Sequence, residues 1–169
     1  IRLLKDRGHR DVHLVCTGSK FDYREEDYVG QVEAFLQTHD LSGQVSILGL
    51  IPRSDQIALL RQSVAVVQPS LFEGWSTLVE DAKTLGKLIF VSDLPVHREQ
   101  LGDEYSRYLN PDDPQEWAEA IGSAWPLLQP GPGSESESAG IARTEVAKRE
   151  CGLAFVDALR AALPPGHPG

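Results

Sequence analysis

Five short apolar runs, each closed by a glycine, a proline or a polar turn, constrain this chain more than any other feature. They are "DVHLVCTG" (11–18), "QVSILGL" (44–50), "VAVVQPS" (64–70), "KLIFVSD" (87–93) and "YSRYLN" (105–110). Short apolar runs bounded by turn signals read as buried strands. Between them lie stretches with helical spacing. "YREEDYVGQVEAFLQTHDL" (23–41) places Tyr28, Val32, Phe35 and Leu36 near one face. "IPRSDQIALLRQS" (51–63) turns at Pro52 and enters a helix with Ser54 as its expected cap. "TLVEDAKTLG" (77–86) ends on Gly86, which suits a C-terminal cap. "VHREQLG" reads as a helical turn, and "PDDPQEWAEAIGSAW" as a helix with Pro114 in its first turn. Near-continuous apolar strands alternating with helices predict an α/β fold with a parallel sheet covered on both faces.

Length and charge narrow the function classes. At 169 residues, with 41% hydrophobic and 24% charged, the chain has the make-up of one globular domain. A formal charge of -9 argues against nucleic acid, whose phosphates are held by clustered Lys and Arg. No apolar run approaches the roughly 20 residues of a membrane span, and "IRLLKDRGHRD" lacks the apolar core of a signal peptide. Two cysteines, Cys16 and Cys151, make no disulfide framework, and a reduced, cytoplasmic setting is expected. Met is absent, and the first residues read as the inside of a helix without a cap, so a fragment of a longer protein is expected. The organisation expected is a Rossmann-like domain over 1–128 and a low-complexity, flexible linker, "QPGPGSESESAG", over 129–140. A C-terminal helix over 141–163 and a disordered tail over 164–169 complete it.

Open parallel sheets bind ligands beyond the carboxyl ends of their strands. That rule selects the loops 17–23, 49–54, 69–77 and 92–97, which hold nearly all the unusual residues. In "PSLFEGWSTLVEDAKTLGK" a buried strand gives way to a turn containing Glu73, Gly74 and Trp75, and a helix follows at once. Gly74 leaves no side chain between backbone and ligand. Ser76 and Thr77 are natural N-cap residues, so the free N–H groups of a helix start are expected to face the crevice. Such groups attract phosphate. Glu73 is placed to accept hydrogen bonds from sugar hydroxyls, and Glu80 to take the two hydroxyls of a ribose. A plainer reading stands beside this: Thr77-Leu78-Val79-Glu80 also fits a capping box, with Glu80 folding back on Thr77. Trp75 equally suits lid packing.

At this stretch the chain resembles a known family. "VVQPSLFEGWSTLVEDAKTLGKLIFVSDLPVHREQ" is similar to the donor-binding segment of the family 4 retaining glycosyltransferases, which have the GT-B fold. "VSILGLIPRSDQIALLRQS" and "LNPDDPQEWAEAI" resemble the segments on either side. The resemblance runs over about residues 11–125. It implies the C-terminal, nucleotide-sugar-binding half of an enzyme that moves a sugar, a hexose by expectation, to an acceptor hydroxyl with retention. By the same resemblance Glu73 is the catalytic residue at the transferred sugar, and Glu80 holds the ribose. The backbone of Gly74, Trp75, Ser76, Thr77 and Leu78 meets the diphosphate, Ile51 lies beside the base, and Gly18 keeps the first loop low. The implied partners are a nucleotide diphosphate sugar, a saccharide or other hydroxyl acceptor, and an N-terminal domain of the same chain. No cofactor and no metal are expected.

Two departures from the family pattern are visible. The usual E-x₇-E spacing is E-x₆-E here, because "EGFGLPVLE" has become "EGWSTLVE". The family's first strand of this domain, and the Arg/Lys pair that neutralises the diphosphate, would lie upstream of Ile1; the fragment alone is therefore expected to be inactive. Alternatives are a non-catalytic nucleotide-sugar or partner-binding module and a GT-B-like epimerase. A glycoside hydrolase would also use two carboxylates, but a glutamate fixed at a helix start suits ribose better. His13 and Cys16 fall on opposite faces of a strand, and no H-E-x-x-H, paired C-x-x-C, G-x-G-x-x-G or P-loop signature occurs. His97 lies by the crevice loop, where packing competes with substrate contact.

Overall fold

The computed structural model describes residues 1–21, 25, 27–102 and 106–162. Helix α1 (Arg2–Asp6) leads to β1 (Leu14–Thr17), then α2 (Tyr28–Thr38), β2 (Val45–Gly49) and α3 (Arg53–Gln62). β3 (Val66–Gln68), α4 (Thr77–Thr84), β4 (Ile89–Ser92) and α5 (Pro95–Gln100) follow. β5 (Ser106–Leu109), α6 (Pro114–Ala124), a short 3-10 turn (Trp125–Leu127) and α7 (Ser134–Ala162) complete the described chain. Every strand pairing found is parallel, so the expected α/β class is observed. The start of the 23–41 helix lies partly outside the described residues, and the 164–169 tail wholly so.

β4 shows why an unbroken apolar run becomes a central strand. It is flanked by β3 and β5, with Val66 opposite Ile89 and Val91 opposite Tyr108. Ile89 and Val91 point to one face and pack with Val79, Ala82 and Leu101. Phe90 points to the other and packs with Leu109 and Trp117 of α6. Alternation along the strand thus feeds two cores at once, and helices cover both faces. Fully burying side chains of this kind contributes about 1.5–3 kcal/mol each. On the α6 side a smaller cluster of Leu4, Val12 and Ala118 ties α1 to the same layer.

Hydrogen bonding divides the strands into two ladders, β1–β2 and β3–β4–β5. β1 alternates half-buried and exposed positions, and its register shifts between Cys16, opposite Ile47, and Thr17, opposite Gly49. The single sheet expected from the alternation is therefore two parallel ladders among the described residues. Hydrophobic pattern specifies which segments are strands but not which edges meet.

Two helix ends follow the local chemistry expected of them, and a third does not. Asp113 accepts from the N–H groups of Gln115 and Glu116 and caps α6, whose first residue is Pro114. Gly86, at φ 63, follows the last turn of α4 and donates to the Lys83 carbonyl. Ser54 does not cap α3. Pro52, at φ -55 and ψ 148, brings the chain into the helix two residues earlier, and the Ser54 hydroxyl donates to Asp55.

The stretch expected as a linker is in part helix, because α7 starts at Ser134 and absorbs all of "SESESAG". Glu135 and Glu137 lie in its first turn, where carboxylates complement the helix dipole. Arg61 pairs with Glu137 at 2.6 Å, and the hydroxyls of Thr84 and Thr144 lie 3.0 Å apart. Gly140 is buried against the Thr84 carbonyl. The first half of α7 thus docks on α4, while residues 145–162 are exposed throughout.

Candidate functional site: the head of α4

Parallel pairing brings the carboxyl ends of the strands in each ladder to one edge. Gly18 donates to the Gly49 carbonyl at 3.0 Å, which joins the first two loops. Both glycines have positive φ, 134 and 76, so the two loops turn sharply where a side chain would be strained. Lys20 lies over Gly49, and the half-buried Ile51 follows it. Arg53, at the start of α3, reaches Asp81 of α4 at 2.5 Å and so links the second loop to the helix that follows the third.

The third loop carries the two glutamates. Ser76, 4% exposed, is the N-cap of α4; its hydroxyl accepts from the Val79 N–H at 3.4 Å. With Ser76 as cap, Thr77 is the first helical residue, and the Thr77–Glu80 capping box does not form. The Glu80 carboxylate turns elsewhere: Oε1 accepts from the Gln100 amide at 3.1 Å, and Oε2 lies 3.7 Å from the Lys83 ammonium. Glu73, half-buried, is held by Gln68 at 3.0 Å, with the Ser70 hydroxyl donating to the same oxygen at 3.4 Å.

The backbone donors in this turn divide in two. The Ser76 N–H is taken by Gln100 Oε1 at 3.3 Å, so Ser76 serves the fold as a cap and does not offer its amide to a ligand. Among the described residues the N–H groups of Gly74, Trp75, Thr77 and Leu78 have no protein partner. Gly74 and Thr77 are exposed, and the Trp75 ring is about half exposed beside them. Together these groups offer donors for an anion, flanked by two oriented carboxylates.

His97 sits elsewhere than in the crevice. It is fully buried, with Nδ1 2.7 Å from the Ser92 carbonyl, so it packs the root of the fourth loop. Arg98 pairs with Asp93 at 2.5 Å and lies over the Tyr108 ring. The Arg98 guanidinium holds the Asp93 carboxyl below its ordinary range, chiefly by hydrogen bonding. His13 donates to or accepts from Ser46 and takes no part in the site. Two surface hollows, of about 650 and 190 Å³, lie away from these loops, at the start of α7 and between α2 and β2.

Gln68 and Gln100 are the residues that motif reading missed. Gln68 has a faint signal, a polar residue closing an otherwise apolar strand. Gln100 has less, since its partners are 20 and 24 residues away.

Comparison with known proteins adds the following. A family model described as glycosyl transferases group 1 matches residues 1–125. The O-antigen chain mannosyltransferase RfbU of Salmonella typhimurium is 30% identical over 95 residues, covering 56% of this chain and 27% of that protein. Among solved structures, HepE from Anabaena in complex with UDP superposes with a TM-score of 0.73 at 19% identity. It covers 93% of this chain and 44% of that one. Sucrose-phosphate synthase from Thermosynechococcus elongatus gives 0.69 at 18% identity, over 95% of this chain and 42% of that one. The chain therefore spans about a quarter of the curated relative and less than half of the solved structures.

Proposed function

The chain belongs to the glycosyl transferases group 1 family, and from that premise we propose that it is the donor-binding half of a nucleotide-sugar-dependent glycosyltransferase. The observation that carries this reading is the head of α4. Among the described residues, four backbone donors without protein partners lie between two carboxylates, each held by a glutamine amide. HepE, a structure of like fold, is known in complex with UDP and with UDP and glucose, which supports a ligand of this class.

In this reading the diphosphate lies on the N–H groups of Gly74, Trp75, Thr77 and Leu78, where the helix dipole stabilises the charge that grows on the leaving group. Glu80 takes the ribose hydroxyls, and Ile51 and Gly18 border the base. Glu73 meets the transferred hexose as positive charge develops at its anomeric carbon. The acceptor hydroxyl attacks from the same face, with retention, and no metal enters the scheme.

An N-terminal domain of the same protein supplies the acceptor site and the cations that complete diphosphate neutralisation. A strand preceding α1 belongs to the proposal as well, since β1 and β3 are not paired with one another. Cys16 and Cys151 are both unpaired, in keeping with a reducing, cytoplasmic setting. Among the described residues no helix is long and apolar enough to cross a membrane.

Calorimetric titration with UDP-, GDP- and ADP-sugars tests the proposal. Binding of one of them, with none of free oligosaccharide, is expected. A chain that takes up oligosaccharide and ignores all three nucleotides is a hydrolase or lectin-like module, and the reading fails.

A further inference from the structure

Gln100 closes α5 and is 2% exposed, yet all its side-chain polar atoms point at the head of α4. Its amide nitrogen donates to the Ser76 carbonyl at 3.0 Å and to Glu80 Oε1 at 3.1 Å. Its amide oxygen accepts from the Ser76 N–H at 3.3 Å. The orientation is forced, because a carbonyl and a carboxylate only accept and a peptide N–H only donates. The backbone carbonyl of the same residue accepts from the Lys83 ammonium at 2.7 Å, and Lys83 faces the other oxygen of Glu80. One residue therefore reaches both oxygens of Glu80, the first directly and the second through Lys83.

We propose that Gln100 is a positioning residue of the donor site, anchored on the Ser76 peptide and holding the Glu80 carboxylate in the orientation in which the ligand meets it. This rests on the reading of the site given above and adds how its geometry is set. An ionised carboxylate has about four acceptor positions. Gln100 occupies one on Oε1 and the Lys83 ammonium lies 3.7 Å from Oε2, which leaves acceptor positions open on both oxygens of a side chain that is 34% exposed. Two acceptors side by side match a vicinal diol, whereas a freely rotating glutamate presents them only part of the time. Fixing the rotamer in advance removes an ordering cost from binding.

The test uses the full chain, UDP, GDP and ADP as probes, and thermal unfolding alongside. Gln100→Met keeps the volume and removes all three side-chain bonds. Gln100→Glu keeps an acceptor for the Ser76 N–H, loses the donor to Glu80, and covers the case in which the methionine variant does not fold. Each is expected to weaken the nucleoside diphosphate that binds best by about tenfold, close to the loss from Glu80→Ala. Combined with Glu80→Ala, neither should weaken binding further, because the two residues act as one unit.

A residue that merely stabilises the fold predicts otherwise: a lower melting temperature and losses that multiply in the double variant. Multiplying losses, or wild-type affinity in a folded Gln100 variant, overturn the proposal alone. A wild-type chain that takes up none of the three probes overturns the reading of the site and this proposal with it.

Discussion

The side-chain amide of Gln68, the last residue of β3, lies 3.0 Å from the Glu73 carboxylate. Strand and turn are thereby locked: the glutamate at the mouth of the loop is oriented by the end of the strand that precedes it. Ser70 donates to the same oxygen and is itself bonded by Gln68 at 3.0 Å, so Oε2 is engaged from the protein side.

If Glu73 meets the transferred sugar, Glu73→Ala should lower affinity for the preferred nucleotide sugar by about 1–3 kcal/mol, the range for hydrogen bonds to a charged group. Affinity for the bare nucleoside diphosphate should hardly change. Titration of both ligands against both chains reads the difference. Equal losses for the two would remove Glu73 from the sugar and place it in the fold.

Lys87 is 6% exposed, and its ammonium donates to the carbonyls of Arg61, Ser63 and Gly131 at 2.6–2.8 Å. It ties the end of α3 to the chain that leads into α7. Lys87→Met leaves three carbonyls unpaired and should cost about 1–3 kcal/mol in chemical denaturation. Burial lowers the Lys87 pKa below 10.5, against a smaller opposing pull from Glu137. The unfolded chain then binds more protons than the folded one between the lowered value and 10.5. Wild-type stability should therefore rise with pH across that window relative to Lys87→Met. A fall there would contradict the assignment.

Gly140 admits no side chain. A Cβ built on it would meet the Thr84 carbonyl and lie 2.8 Å from the Lys83 carbonyl. Gly140→Ala must push α7 off α4, at a cost of about 1–3 kcal/mol for overpacking. Limited proteolysis at residues 129–133 should speed up and release α7 as a free peptide. An unchanged cleavage rate, with α7 still bound, would mean that the helix is held by its other contacts alone.

The Trp125 indole donates to Asp11 at 2.8 Å, and this hydrogen bond is the largest cause holding the Asp11 carboxyl below its ordinary 3.8. A carboxylate with a lowered folded-state pKa stabilises the fold above the ordinary value and loses that contribution as pH falls through the lowered one. In a Trp75→Phe, Trp117→Phe background, acid titration of Trp125 fluorescence should show a step below 3.8. Asp11→Asn should abolish it. Persistence of the step in that variant would assign it to another group.

Much of this was legible in the sequence because the governing interactions are short. β4 was readable from "LIFV", since a run with no polar face has to be covered on both sides. Gly86 and Pro114 were readable because caps act within one turn of a helix. Ser54 was misjudged by the same local logic: Pro52, two residues earlier, already sets the backbone angles that start α3. The start of α7 was missed because "SESESAG" has linker composition, and only Arg61 and the groove at Thr84 make its helix worth forming.

By itself the sequence determined the α/β alternation, the four loops at the carboxyl edge and the position of both glutamates beside a helix head. Periodicity, turn chemistry and capping act over a few neighbouring residues, so they leave a local trace. Tertiary structure alone decided that Ser76 caps in place of Thr77, that Gln68 and Gln100 aim the two carboxylates, and that the strands pair as two ladders. Those outcomes depend on which distant polar groups and strand edges come within hydrogen-bonding distance. That is a property of the packed chain, and no window of sequence records it.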